Sequence, residues 1–276
     1  MDPVRIGIVK FLNTVPLVEG LEKIPQLSLV PAPPSRLSDM LVDRSADVAL
    51  VSIIDAALSP APLAMLSCGM IGCNGPTLTV RVFSSVPFDQ ITTLHADTDS
   101  HTSVALARII LHRVFDRRVK IEPFDTSKPR PAHSDWPEAL LLIGDKVITS
   151  SPPLSRFKHQ LDLGEAWKKL TDLPFVYALW MCRASDLADP KALENVHLAE
   201  TLLDRQLRHN FTRIDRIIQD RAPEFRWPPE LARQYLGELL RYRVGETEQA
   251  AVTKFFEEAV EADILTPEQA AHVRWA

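Results

Sequence analysis

The chain has 276 residues, of which 46% are hydrophobic and 24% charged, a globular composition long enough for one large core or two modest ones. A formal net charge of -5 gives no bulk attraction to nucleic acid or to an anionic membrane, so neither is expected as a partner. No apolar stretch reaches bilayer length. The opening "MDPVRIGIV" lacks the basic start and apolar run of an export signal, which sets the expectation of a cytoplasmic protein. Cys68, Cys73 and Cys182 cannot all pair within one chain. They read as structural thiols of a reducing compartment rather than as a metal site.

In chain order, Val4 to Phe11 is rich in Val and Ile and predicts a buried strand, followed by a short helix after Asn13 and Thr14. A strand over Gln26 to Val30 precedes the breaker "PAPPS". Ser35 is expected to cap a helix carrying Leu37, Met40 and Leu41. Ala46 to Ser52 predicts another buried strand running straight into the helix "IIDAAL", and Leu78 to Ser85 a further strand. This alternation predicts doubly wound α/β sheets, in which ligands bind at the carboxyl ends of the strands.

The middle repeats the theme. "TTLHADTDSHTSVALARIILHRVF" reads as strand, polar turn and helix, with Val104, Ala107, Leu111 and Val114 on the buried face. "VKIEPF" is a strand, "DTSKPRPAHSDWP" a polar proline-rich loop, and "ALLLIGDKVI" an apolar strand ending on Gly144 and Asp145. Leu173 to Cys182 is one more buried strand. Beyond it the texture becomes helical, opened by Asp189 capping and Pro190 at the first turn, and closed by a capping box of Thr266 and Gln269.

The strand ends carry the chemistry. Ser100, Thr102 and Ser103 sit where a helix begins, and either cap it or add hydroxyls to a cradle for a carboxylate or phosphate. Asn13 either caps the next helix or orients a polar ligand; an amide positions but does not titrate. Asp145 either binds a substrate hydroxyl, or pairs with Lys146 or a backbone donor. The Trp and Phe residues read as core, Trp136 in the polar loop excepted. The chain has no G-x-x-x-x-G-K-[ST] and no G-x-S-x-G, and "IGIVKF" lacks the glycines of a dinucleotide fingerprint. A cleft of neutral donors suits a small anion, or a reaction whose substrate supplies much of the driving force.

Five blocks, "RIGIVKFLNTVPL", "ADVALVSIIDAAL", "DTDSHTSVALARIIL", "LLIGDKVI" and "DLGEAWKKLTDLPFVYALW", occur in this order. Together they resemble the chorismate dehydratase family of the futalosine route to menaquinone, as does the tail "YLGELLRYRVGETEQAAVTKFFEEA". The resemblance implies a two-lobed type 2 periplasmic-binding-protein-like α/β fold, each lobe a doubly wound sheet flanked by helices. Residues 1–84 and 180–276 would form one lobe and residues 85–179 the other, with crossings near Ser84 and Ser85 and within "PFVYALW". It implies loss of water from chorismate, a dicarboxylate substrate, with no cofactor and no metal. By the match, Asn13 takes the place of the active-site strand-end Asn. Thr102 and Ser103 take that of the anion-binding helix start. Thr14, Ser52 and Asp145 complete the expected substrate contacts. His101 stands where that family commonly has Arg, and Cys73 and Asn74 replace a turn that usually contains Ser and Asp. The other readings are a non-catalytic small-anion-binding protein and a further futalosine-route enzyme of the same fold.

Overall fold

A computed structural model describes residues 2–97, 101–125 and 136–276. Ser100 and the proline-rich loop over residues 126–135 lie outside the described residues. Among those described, no helix is long and apolar enough to cross a membrane.

The N-terminal segment alternates as its periodicity requires. β1 (Val4–Ile8) leads through a 3-10 turn at Leu12–Thr14 into α1 (Val15–Val18). β2 (Leu27–Pro31), α2 (Leu37–Val42), β3 (Val48–Ser52), α3 (Ile53–Leu58) and β4 (Leu63–Cys73) follow. A second set comprises β5 (Val80–Ser84), β6 (Thr93–Asp97), α4 (His101–Phe115), β7 (Lys120–Phe124) and β8 (Ala139–Ile143). It ends with α5 (Lys146–Thr149), β9 (His159–Asp162) and α6 (Leu163–Thr171). The chain then supplies β10 (Phe175–Arg183), α7 (Pro190–Phe211), α8 (Ile214–Arg221) and α9 (Pro229–Arg233). A π-helical segment at Gln234–Leu239 precedes β11 (Leu240–Arg241), α10 (Glu246–Glu261), α11 (Pro267–Ala270) and β12 (Val273–Trp275).

These strands make two sheets. The first has seven strands in the order β11-β4-β10-β3-β1-β2, with β12 also on β4; the second has five, β7-β6-β8-β5-β9. In the first, β1 is parallel to β2 and β3, while β10 runs antiparallel between β3 and β4. Both faces of the central strands are covered, so Ile6 and Leu50 pack in one core and Ala49 and Val51 in another.

Two expectations about the crossings change. The strand near Leu78 to Ser85 pairs with β8 and β9, so it opens the second sheet instead of closing the first lobe's share. Leu78 has φ 71°, a left-handed turn that delays the strand to Val80. β10 belongs wholly to the first sheet from Phe175 onward, so the return crossing precedes "PFVYALW". Which sheet each segment joins is fixed by long-range pairing that no local period records. The segment between the sheets is clamped by the buried Asp162, whose carboxylate accepts from the amides of Thr77, Leu78, Gly164 and Glu165.

Smaller departures have local causes. Ser35 lies inside a 3-10 turn, Pro34–Arg36, whose cap is Pro33. In α4 the buried face is wider than expected, taking in Ala105, Leu106, Ile109 and Ile110, whereas Val114 is 49% exposed. Trp136 packs against Phe124 and Phe157 as part of a small core. The expected caps at Asp189 and Thr266 form, accepting from Ala192 and Gln269 amides respectively.

Candidate active site between the two lobes

The carboxyl ends of β1 and β3 in one sheet and of β8 in the other face a common cavity of about 270 Å³. Of the expected site residues, Asn13, Ser52, Ser103 and Asp145 line it together. Thr14 and Thr102 do not.

"FLNT" explains itself once folded. Phe11 is extended and the chain then tightens into the Leu12–Thr14 turn. The buried Thr14 hydroxyl lies 3.0 Å from the Val9 carbonyl and 2.7 Å from that of Phe11, so it fixes the turn. The Tyr242 hydroxyl donates to the Asn13 carbonyl at 3.0 Å. The backbone is thus pinned, and the Asn13 side chain is left to face the cavity. Its Oδ1 is buried with no hydrogen-bond partner in the protein. Leaving such an acceptor unsatisfied costs about 1–3 kcal/mol, a cost that a ligand's hydroxyl would offset.

A wall of phenols and hydroxyls stands behind Asn13. Thr79 Oγ1 and the Tyr235 hydroxyl are 2.6 Å apart; Thr77 Oγ1 and the Tyr177 hydroxyl are 2.8 Å apart. Burial pushes the Tyr235 phenol up, opposed by its hydrogen bond with Thr79, and the nearby Asp145 carboxylate pushes it further. Tyr177 is raised for the same first reason. Cys73, 3.1 Å from Thr77 Oγ1, is buried and pushed up to about 11. These groups stay neutral at ordinary pH and serve as donors.

The second lobe brings Asp145 and Lys146. Asp145 precedes α5 without capping it through its side chain. Its Oδ1 instead accepts from Trp227 Nε1 of the first lobe at 2.7 Å. Burial raises its pKa above the usual carboxylate range, partly opposed by the Trp227 bond. The expected alternative, pairing with Lys146, does not form: Lys146 Nζ bonds both carboxylate oxygens of the buried Asp97, at 3.0 and 2.9 Å.

On the other flank Ser52 caps α3, and its hydroxyl donates to Asp55 Oδ2 at 2.8 Å. Asp55 Oδ1 lies 2.6 Å from His101 Nδ1 across the cleft, a bond that raises the His101 pKa. Thr102 Oγ1 bridges the Ile54 amide and the Tyr177 carbonyl, both at 3.4 Å, so it joins the lobes without entering the cavity. Ser103, one residue on, does line it.

Sequence reasoning missed Trp227, Tyr235, Tyr177 and Thr79. Tyr235 sits in the π-helical segment after α9, where the widened turn swings it toward the cavity. Helical periodicity carries no sign of that widening.

The family model described as menaquinone biosynthesis matches residues 4–261. The chain belongs to this family. It is 24% identical over 280 residues to the chorismate dehydratase of Thermus thermophilus, covering 93% of this chain and 95% of that protein. Among solved structures, a protein from Archaeoglobus fulgidus superimposes with a TM-score of 0.69 at 16% identity, covering 95% of this chain and 98% of that one. The periplasmic aliphatic sulphonate binding protein of Escherichia coli gives 0.64 at 13% identity, over 97% and 95%. The alkanesulfonate-binding protein of Xanthomonas axonopodis pv. citri, solved bound to MOPS, also gives 0.64, at 15% identity over 99% of both chains. At these identities the likenesses establish the fold, which is the expected two-lobed periplasmic-binding-protein-like α/β arrangement.

Proposed function

We propose that this chain is a chorismate dehydratase, converting chorismate to 3-[(1-carboxyvinyl)oxy]benzoate and water. The observation that carries the reading is Asn13: a buried amide oxygen without a protein partner, facing an interlobe cavity, in a chain of the menaquinone biosynthesis family. The cavity volume lies just below the roughly 300–1,000 Å³ of small-molecule sites, suited to a compact metabolite.

The chemistry asks little of the protein. The ring carbon bearing the enolpyruvyl ether loses its proton, and that C–H pair becomes the new ring double bond. The neighbouring C–O bond breaks, the hydroxyl leaves as water with one further proton, and the ring becomes aromatic. Chorismate's own enolpyruvyl carboxylate serves as the base. Asn13 Oδ1 accepts a hydrogen bond from the ring hydroxyl and fixes the ring so that base and proton meet. Ser103 holds a carboxylate, Ser52 joins it once substrate draws its hydroxyl away from Asp55, and the closed lobes exclude water. The buried thiols Cys68, Cys73 and Cys182 suit a cytoplasmic enzyme.

The test is incubation of purified protein with chorismate, followed by absorbance and mass spectrometry. Consumption of chorismate with formation of the aromatic enolpyruvyl ether is the expected result. Thermal stabilisation by chorismate without turnover would replace this reading with a small-anion-binding protein.

A further inference from the structure

We propose that Asp145 is the general acid that delivers a proton to the departing ring hydroxyl, and that Trp227 is the residue that positions it across the cleft. The inference rests on the chorismate reading above and goes beyond it, since that reading leaves the source of the hydroxyl's proton open.

The Asp145 carboxyl has no structural duty in its own lobe. It does not cap α5, and Lys146 is turned to Asp97. Among the described residues, its hydrogen-bond partner is Trp227 Nε1, on Oδ1, which leaves Oδ2 without one. Trp227 is 3% exposed and stacks on Tyr235 with ring centroids 4.9 Å apart and planes 12° apart. A buried indole stacked on a fixed phenol is a rigid mount, the kind of support a reacting group needs. Tyr235 also places Asp145 relative to Asn13. Asn13, Tyr235 and Asp145 line the same cavity, and the Asp145 carboxylate raises the pKa of the Tyr235 phenol. The group that holds the ring hydroxyl and the group that can protonate it therefore reach one cavity from opposite lobes, with that phenol in its wall.

The surroundings favour a protonated carboxyl once substrate is bound. Asp145 is desolvated by burial, and a dianionic ligand in the same cavity opposes its ionisation further. Among the described residues, the charged or titratable groups around the cavity are Lys146 paired with Asp97 from β6, Tyr235 from the π-helical segment, Tyr177 from β10, and Asp55 paired with His101 on the far flank. The balance closes without a co-reactant. The ring C–H proton moves to the enolpyruvyl carboxylate, the Asp145 proton moves to the hydroxyl as the C–O bond breaks, and water leaves. The product's carboxylic acid then returns its proton to Asp145 through that water.

The experiment measures kcat against pH, together with chorismate-induced thermal stabilisation, for the whole protein and for Asp145→Asn and Trp227→Phe. Asp145→Asn should lose about 10²–10⁴-fold in kcat while chorismate still raises its melting temperature. Trp227→Phe keeps the ring stack but removes the N–H. A donor to the ionised carboxylate lowers its pKa, so its loss should move the alkaline limb of kcat to higher pH. A role in packing alone would leave that limb in place. If wild type turns over chorismate while Asp145→Asn stays within about twofold in kcat, or the limb of Trp227→Phe does not move, the assignment is overturned and the parent reading survives. Wild-type protein inert toward chorismate would overturn both.

Discussion

The cleft is bridged on one flank by Asp145 and Trp227 and on the other by Asp55 and His101, and the two bridges differ in what surrounds them. Trp227 is buried and braced by Tyr235, so its bond to Asp145 is held in a low-dielectric setting. His101 is half exposed, with 50% of its side chain accessible, and its partner Asp55 is shared with Ser52. Solvent and salt weaken the second bridge and scarcely touch the first. Position is therefore fixed where the proposed chemistry lies, and only modest free energy is placed in the exposed flank.

Four changes break or sharpen this contrast. Asn13→Ala, on the braced flank, should lower kcat by about 10²–10³-fold, the scale of losing one preorganised polar contact at a reacting group. Its melting temperature should stay near that of wild type; full activity would remove Asn13 from the mechanism. Gly164→Ala acts at the back of the cleft, between the flanks. An added Cβ would overlap Thr77 Oγ1 and come within 2.6 Å of Cys73 Sγ and the Gly75 carbonyl. Overpacking of this kind costs about 1–3 kcal/mol, read as a lower melting temperature; an unchanged one would show that the crossing segment can yield. Ser103→Ala should raise KM by about fivefold, near 1 kcal/mol, with kcat little altered, whereas an unchanged KM would make the serine purely local.

The smallest effect belongs to the exposed flank. The His101 pKa is raised by its bond to Asp55. Its contribution is thus fully present below the unfolded value of about 6.5 and is lost as pH rises through the higher folded value. Denaturant titrations of His101→Ala against wild type should differ by no more than about 1 kcal/mol in mild acid, and converge in mild alkali. A gap that persists in alkali would show that the ring contributes by packing instead of charge.

How much of this was legible in the sequence depends on range. β1, β3, β8 and β10 announce themselves as continuous apolar runs, and the caps at Asp189 and Thr266 follow from one turn of chain. β4 did not, because "LAMLSCGMIGC" is interrupted by glycines. In the fold Gly69 sits at φ 154° where β10 slips register, and a Cβ there would press on Leu17 and Trp180. Among site residues, Asn13, Ser52 and Asp145 were found because strand carboxyl ends point at ligands, and Ser103 because a helix start favours anions. Thr14 and Thr102 sit beside such residues but spend their hydroxyls on backbone groups, a distinction that needs coordinates. Trp227 and Tyr235 come from the returning chain, where the sole local hint is Trp227 before Pro228, a position biased to extended backbone.

That return also orders events on the ribosome. The second sheet uses residues 80 to 162 alone, so all its strands are available while later residues are still being added. The first sheet cannot join β3 to β4 until β10 is inserted between them, and Val273, Arg274 and Trp275 of β12 are still needed to cover Leu63, Ala64 and Met65 of β4. β3 and β4, although translated before the whole second sheet, therefore complete their pairing after it, whereas β1 and β2 need only each other and β3. In the interval the edge of β3 is the surface most in need of protection from wrong partners.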